Sequence, residues 1–480
     1  MFSITKRAGR FLLRARRCLS AASSAADQGQ PKPSEDSTQS FVKQQILRAG
    51  LHYLKGDTEA LKENVRRRRG SVDVDELDRL HREYGQMLFR IQELRHERNV
   101  QSKEFLTKTK EEQKALGKKA AELKSILSQL ETELQLRESD FVAKVTHIPN
   151  ESHPSVPIGS YDSAKVVYLG GAKPEFSFPP RDHVAIGENL RILDFVSAAQ
   201  ASGHRYYYLK GAAAMLEVAL VQYAMQKAVA RGYLPVVTPD VIKASVVEGC
   251  GFQPRGVSTQ VYSLHPHHGP LCLSGTAEIP LAGMLMNSVI PLSELPLKFV
   301  AYGRCHRAET GGSCHAYRGI YRVHQFTKVE LFVVTANESG EESNKMLEEI
   351  VELQKDIFTE LGLHFRVLDM PTEELGAPAY RKYDIEAWMP GKGEYGEASS
   401  ELAYFQSRRL SIEYASHAGK NQKTFAHTLN GTACAIPRTI IALLEKNQQQ
   451  DGRVVLPKVL HPFLPSQFWN IDPATVPKQS

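Results

Sequence analysis

Residues 297–309 read LKFVAYGRCHRAE and residues 321–334 read YRVHQFTKVELFVV, two runs rich in β-branched and aromatic residues. Between them, Thr310 to Gly319 is polar and glycine-containing. Two strands joined by such a loop make an antiparallel hairpin, which points to an α+β fold on an antiparallel sheet rather than to a parallel α/β sheet. Side chains alternate between faces along an extended strand, so Arg307 and Glu309 are expected on one face of the first strand. On the second strand Lys328 and Glu330 share a face, while Val329 and Leu331 point the other way. One side of the sheet should therefore be lined with charge.

Working outward, Gly211 to Arg231 reads as a helix with one apolar face, and the chain then turns through GYLPVVTPD (232–240) into another element. Further back, HIPNESHPSVPIGS (147–160) carries three prolines and marks a domain boundary. Before it, Leu77, Leu80, Tyr84, Met87, Ile91 and Leu94 recur at gaps of three and four. Leu116, Ala120, Leu123, Leu127, Leu130 and Leu134 repeat the pattern beyond a polar stretch from Lys103 to Lys114. Two heptad helices joined by a turn form an antiparallel coiled-coil hairpin. Arms of about 30 residues reach roughly 45 Å, too far to pack wholly onto a globular body. The charged tip and the run VRRRRG (65–70) favour contact with an RNA backbone, because phosphates draw on Lys and Arg. A coil that only joins two chains is the alternative.

The bulk numbers narrow the class. A chain of 480 residues has room for several domains, and no stretch approaches the 18 or so apolar residues of a membrane span, so no membrane is expected. A net charge of +6 suits a polyanion without identifying one. The six cysteines (18, 250, 272, 305, 314 and 434) form no CxxC pair, which argues against a disulfide scaffold or a zinc ribbon. Cys305, His306, Cys314 and His315 also lack a standard zinc spacing. At the N-terminus, Lys6, Arg7, Arg10, Arg14, Arg16 and Arg17 precede the first acid, Asp27, among apolar residues at helical spacing. This is the pattern of a mitochondrial transit peptide, and it implies the matrix. The expected division is a transit peptide and disordered linker over 1–40, a helical coiled-coil arm over 41–150, a catalytic domain over 151–464 and a tail over 465–480.

Three further blocks accompany the hairpin: LSGTAE (273–278), GEYGEASS (393–400) and TLNGTACAIPRT (428–439). From about Phe41 to Leu464 the chain resembles the class II aminoacyl-tRNA synthetases, and among them the seryl-tRNA synthetases. Residues 207–240 look like the first class motif, whose helix and Pro235 build a homodimer interface. Residues 303–330 look like the second motif and 430–445 like the third. The TAE tripeptide and the N-terminal arm narrow the class to serine. Where many relatives carry an acidic residue and a threonine before the Arg-Gly of the second motif, this chain has HAYRG. It also has PRT in place of GRT in the third, and Thr432 in place of Ser.

The resemblance implies ATP-dependent activation of L-serine, with Mg²⁺, and transfer to tRNA(Ser). Arg307 would bridge the α-phosphate and the serine carboxylate, since a planar guanidinium serves two anions at once. Ala308, Glu309 and the main chain at Val323 would meet the adenine, with Phe326 stacked on it and Arg438 on its other side, reaching the γ-phosphate. Glu397 and Ser400 match the Mg²⁺ ligands, oxygen donors as a hard cation requires, with Ala398 and Ser399 beside them along the ATP. Thr276, Ala277 and Glu278 would hold the ammonium, and Glu330 with Thr432 the hydroxyl. Catalysis would rest on Arg307, Glu397 and Arg438, through orientation and charge stabilisation, with no protein nucleophile.

Overall fold

The computed structural model describes residues 35–105, 109–253, 260–309, 318–403, 405–416 and 423–472. The transit-peptide stretch, most of the hairpin loop with Cys314 and His315, and the end of the tail lie outside them. Contacts divide the chain into two units, Met1–Phe41 and Val42–Ser480. Helix α1 (Glu35–Leu54) runs from the first into the second. It begins inside the stretch expected to be linker.

Helix α2 (Thr58–Arg67) is capped by Asp57, whose carboxylate accepts from the Glu59 and Ala60 amides. Then come the arms, α3 (Val74–Phe105) and α4 (Lys110–Val145), longer than the heptads alone indicated. Both helices run on through the polar stretch, since charged residues sit well on an exposed helix surface, and Glu112 accepts from the Thr109 amide at 2.9 Å where α4 starts. Ile91, Leu94, Leu123 and Leu127 form the buried seam, flanked by Met87, Leu130 and Leu134. Arg95–Glu131 and Lys144–Glu76, each at 2.7 Å, tie one helix to the other.

In the arginine run next to α2, Arg68 alone is buried, while the side chains of Arg66 and Arg69 stay 73% and 74% exposed. Arg66 and Arg67 pair with Glu63, and Arg69 pairs with Glu373. Arg68 is buried and donates to the carbonyls of Asn150 (3.0 Å) and Ala379 (2.8 Å) and to that of Gly376. A guanidinium carries five donors, and here they are spent fastening the arm's base to the body.

The body holds β1 (Lys165–Gly170), α5 (Ala212–Ala230), β2 (Leu234–Val237), α6 (Glu278–Met284), β3 (Leu297–His306), β4 (Gln325–Thr335) and α7 (Glu342–Glu360). After these come β5 (Phe365–Asp369), β6 (Tyr383–Met389), β7 (Glu394–Ala403), α8 (Gln406–Leu410), β8 (His427–Ala435) and α9 (Ile436–Asn447). Eight strands make one sheet in the order β1-β5-β6-β7-β8-β4-β3-β2, antiparallel throughout except for the parallel outer pair β2–β3. Helices α5, α7 and α9 supply Leu216, Leu220, Ile350, Phe358, Ile440 and Leu443 to the same core as Val329, Leu331 and Val333 of β4. The sheet is thus an antiparallel platform with its helices on the apolar side, as the hairpin predicts. At its far edge β1 leaves Val166, Val167 and Leu169 more than half exposed (55%, 52% and 61%).

The tail is shorter than expected. Asn470–Ile471 pairs with Val454–Val455, and Ile471 is buried in the main core, so the body extends past 464 to at least 471. An apolar side chain with a vacant core position stays in it, whatever the polarity of its neighbours.

Candidate active site

The β3–β4 register sets Ala301 opposite Glu330 and Gly303 opposite Lys328, and the β8–β4 register sets Thr432 opposite Glu330. Glu330 is therefore central, wholly buried, and ion-paired with Lys328 on the same face. Glu278, at the start of α6, is 2% exposed. The Asn430 amide lies between the two acids and donates to Glu278 and to Glu330, each at 3.1 Å. Gln406 of α8 donates to the other oxygen of Glu278 and accepts from Thr428. Thr432 donates to Glu330 at 3.4 Å.

Burial, with Glu330 as the next contributor, pushes the Glu278 carboxyl up to about 8. The two acids flank one shared amide as the floor of the site, and Lys328 is the cation paired with Glu330. Asn430 Oδ1 is buried there with no partner among the described residues. Thr276 and Ala277 are buried at the entry to α6, and Ser274 donates to the Thr276 carbonyl at 2.7 Å.

Above this floor opens a narrow cleft of about 80 Å³. It is lined by Arg307, Glu309, Val323, Phe326, Glu397, Ala398, Thr432 and Arg438, eight of the residues chosen from the sequence. Thr276, Ala277, Glu278 and Glu330 lie outside that lining. Ala308 is held back by its amide, which donates to the Gln260 carbonyl at 2.9 Å. The side chains of Ser399 and Ser400 lie outside the described residues.

Arg307 and Glu309 are not on the strand as expected. Strand β3 ends at His306, and Glu309 turns left-handed (φ 49°), a conformation that non-glycine residues adopt rarely. Its carboxylate is ion-paired with Arg322, which anchors the turn. The Arg307 amide donates to His324 O at 2.8 Å, and the guanidinium sits 5.2 Å from the Phe326 ring centre. At the other end Arg438 enters on the first turn of α9, behind Pro437, which is preset for a helix start. It stacks on Tyr321 at 4.7 Å and donates to the carbonyls of Glu397 (3.0 Å) and Tyr321 (3.2 Å). Burial raises the Glu397 carboxyl, but Arg438, then Lys382 and Arg307, outweigh it and hold the group below the ordinary carboxylate range. Its side chain stays 41% exposed to the cleft.

Reading the sequence missed Tyr321, Arg322, Gln406 and Asn430, and left Lys328 without a role. Asn430 had a signal: Thr428, Asn430 and Thr432 alternate along β8, so three polar residues share one face of a buried strand. Tyr321 and Gln406 had none, because their roles come from a loop and the short helix α8 folding over the sheet.

What this arrangement can do is hold a small cation-bearing molecule on the acidic floor, with an anionic chain spread between Arg307 and Arg438. Comparisons with known proteins agree. Residues 49–152 match the model of the seryl-tRNA synthetase N-terminal domain, and residues 263–447 that of the class II tRNA synthetase core domain (G, H, P, S and T). The mitochondrial serine–tRNA ligase of Mus musculus is 47% identical over 73% of this chain and 67% of its own length. That of Bos taurus is 48% identical over 69% and 64%, so the chain spans about two thirds of these two relatives. The serine–tRNA ligase of Rubrobacter xylanophilus is 41% identical over 86% of this chain and 97% of its own. Among solved structures, seryl-tRNA synthetase from Pyrococcus horikoshii complexed with ATP superposes with a TM-score of 0.77. It shares 32% identity and covers 88% of this chain and 99% of its own. With its helical arm, its antiparallel platform and its charged cleft, the chain belongs to the seryl-tRNA synthetase family, class II ligases that activate serine with ATP and charge tRNA with it.

Proposed function

We propose that this chain activates L-serine in the cleft between Arg307 and Arg438 and transfers it to mitochondrial tRNA(Ser), with the arm holding the tRNA. The observation that carries the serine assignment is the acidic floor, where Asn430 bridges Glu278 and Glu330 and leaves its own Oδ1 unpaired. Serine brings an ammonium for Glu278 and for that oxygen, and a hydroxyl for Glu330 and Thr432. Alanine brings the same ammonium but no hydroxyl for Glu330 and Thr432, and a site built to bond a hydroxyl rejects the analogue that lacks it more strongly than a missing methyl does. Threonine meets Thr432 and the β4 wall with an extra methyl.

The serine carboxylate then lies under Arg307 and attacks the α-phosphorus in line as pyrophosphate leaves. Arg307 stabilises the charge that develops there, and Arg438 holds the departing phosphates, both fixed in advance by their contacts with Phe326 and Tyr321. In the second step the terminal ribose hydroxyl of tRNA attacks the seryl carbonyl and AMP leaves. Phe326 and the Val323 main chain take the adenine, while Glu309, locked to Arg322, presents the turn that the ring edge meets. Glu397 is ionised and faces the cleft, so it fits Mg²⁺, with Ser400 as the second ligand. Mg²⁺ bound there would screen the phosphate charge.

The N-terminal basic stretch and the mitochondrial names of the mouse and cattle relatives support the matrix. The outer strand β2, with Val237 82% exposed, supports a homodimer edge. We divide the chain into an arm ending near 150 and a catalytic body from there through 471. Serine-dependent ATP–pyrophosphate exchange by the chain from residue 35 onward tests the activation. Exchange should occur with serine and not with alanine or threonine, and Arg307→Ala should lower it by about a hundred- to a thousandfold, the scale for loss of a preorganised donor. Equal exchange with alanine would sink the assignment of the floor.

A further inference from the structure

A second cavity, of about 710 Å³, lies between α1 and the body, and no catalytic residue lines it. That volume falls in the range of small-molecule sites. One wall is α1 and its end. Arg48, His52 and Lys55 are spaced by four and three residues, which sets them on one helical face, turned toward the cavity. The opposite wall carries Arg408 and His427, and Asn150, Asn344 and Thr424 add neutral polar groups. Tyr380 and Phe425 also line it.

Charge distinguishes this cavity. Glu151 is the one carboxylate among its described lining residues. Elsewhere on the helical region the arginines are matched, as in Arg79–Glu83, Arg82–Asp78 and Arg137–Glu133. Among the described residues Arg48, Lys55 and Arg408 form no ion pair, and Arg408 sits 5.8 Å from the Tyr53 ring centre instead. Burial, then the Arg408 cation, push His427 down to about 4, so this imidazole is neutral at physiological pH and still lies in a positive field. Three unmatched cations converging on a hollow with aromatic walls suit a phosphate group attached to a flat ring. Guanidinium forks grip phosphate oxygens, and an aromatic face accepts a base of any identity.

We propose that this cavity is a second nucleotide site. It takes a phosphate-bearing ligand of mononucleotide size, with Arg48, Lys55 and Arg408 on the phosphate and Tyr380 or Phe425 against the base. The ligand is a free nucleotide or a nucleotide of bound RNA, and both present the same chemistry.

The test uses the protein with its catalytic cleft filled by a non-hydrolysable seryl-adenylate analogue. Calorimetric titration with AMP and with GMP should then show one further nucleotide bound per chain. The exposed double variant R48Q/K55Q should weaken it by about tenfold or more, the scale of losing charge-assisted bonds. Arg438→Ala, which disables the catalytic cleft, should leave the second site intact, so failure here and failure of the catalytic reading are separable. If RNA is the source, free nucleotides will not bind, but R48Q/K55Q will weaken a tRNA(Ser) transcript and lower its salt-dependence slope by about two. No further nucleotide bound, together with unchanged tRNA affinity and slope in R48Q/K55Q, would overturn the proposal.

Discussion

Under the proposed serine site Glu278 meets an ammonium, yet burial in the empty site favours its protonated form. Its carboxyl is pushed up to about 8, against an ordinary value near 4.3 in an unfolded chain. Between those two pH values the folded state binds the extra proton, so stability contributed here is lost as pH rises through the window and is level above it. Glu278→Gln removes the titration. At pH 8 it should stabilise the free protein by roughly 1–3 kcal/mol, with the gain vanishing toward pH 4, while abolishing serine-dependent exchange. Thermal melts across pH read the first effect, and a gain that is constant with pH would refute it. The serine ammonium should also expel the proton near neutrality. Calorimetry in buffers of different ionisation enthalpy should then show net proton release on serine binding, and none in Glu278→Gln.

At the scale of elements, Arg68 is the test case. It fastens the arm to the loop before the body and to residues 376–379, so Arg68→Ala leaves several buried carbonyls unpaired, at a cost of about 1–3 kcal/mol. The variant should keep serine-dependent exchange, because the cleft lies elsewhere, but lose tRNA charging as the arm's angle loosens. Equal loss of both would show general unfolding instead. The same residue marks where the sequence stopped being readable. Heptad spacing in the arms and the alternation in 321–334 come from local periodicity, and both became the elements expected. A run of four arginines has no such period, and whether it faces RNA or its own backbone depends on the fold of residues 300 positions away. The site divides in the same way. Arg307, Glu397 and Arg438 belong to contiguous motifs, whereas Tyr321 and Gln406 acquire their roles only when a loop and the short helix α8 close over strands. The turn at Glu309 escaped because a strand pattern runs on through RCHRAE, and the left-handed step that ends it leaves no mark in composition.

Across the whole molecule, one eight-stranded sheet connects edges of different character. At one edge β2 is short and beside the helix α5, and under the proposed assembly a second chain covers it. At the other, β1 presents Val166, Val167 and Leu169 to water, with no further strand beyond it among the described residues. Soluble sheets usually blunt such an edge with lysine, proline or a bulge, and β1 has one exposed lysine, Lys165, at its start and a register shift between Val166 and Tyr168. Two molecules can add strand to strand there without disturbing either cleft. Val167→Lys should therefore reduce light scattering on storage at high concentration, with exchange activity unchanged. Scattering equal to that of the parent chain would place the sticking surface elsewhere. How long a concentrated solution stays clear is then decided at the strand farthest along the sheet from the motif-1 edge, by three aliphatic side chains that take no part in the chemistry.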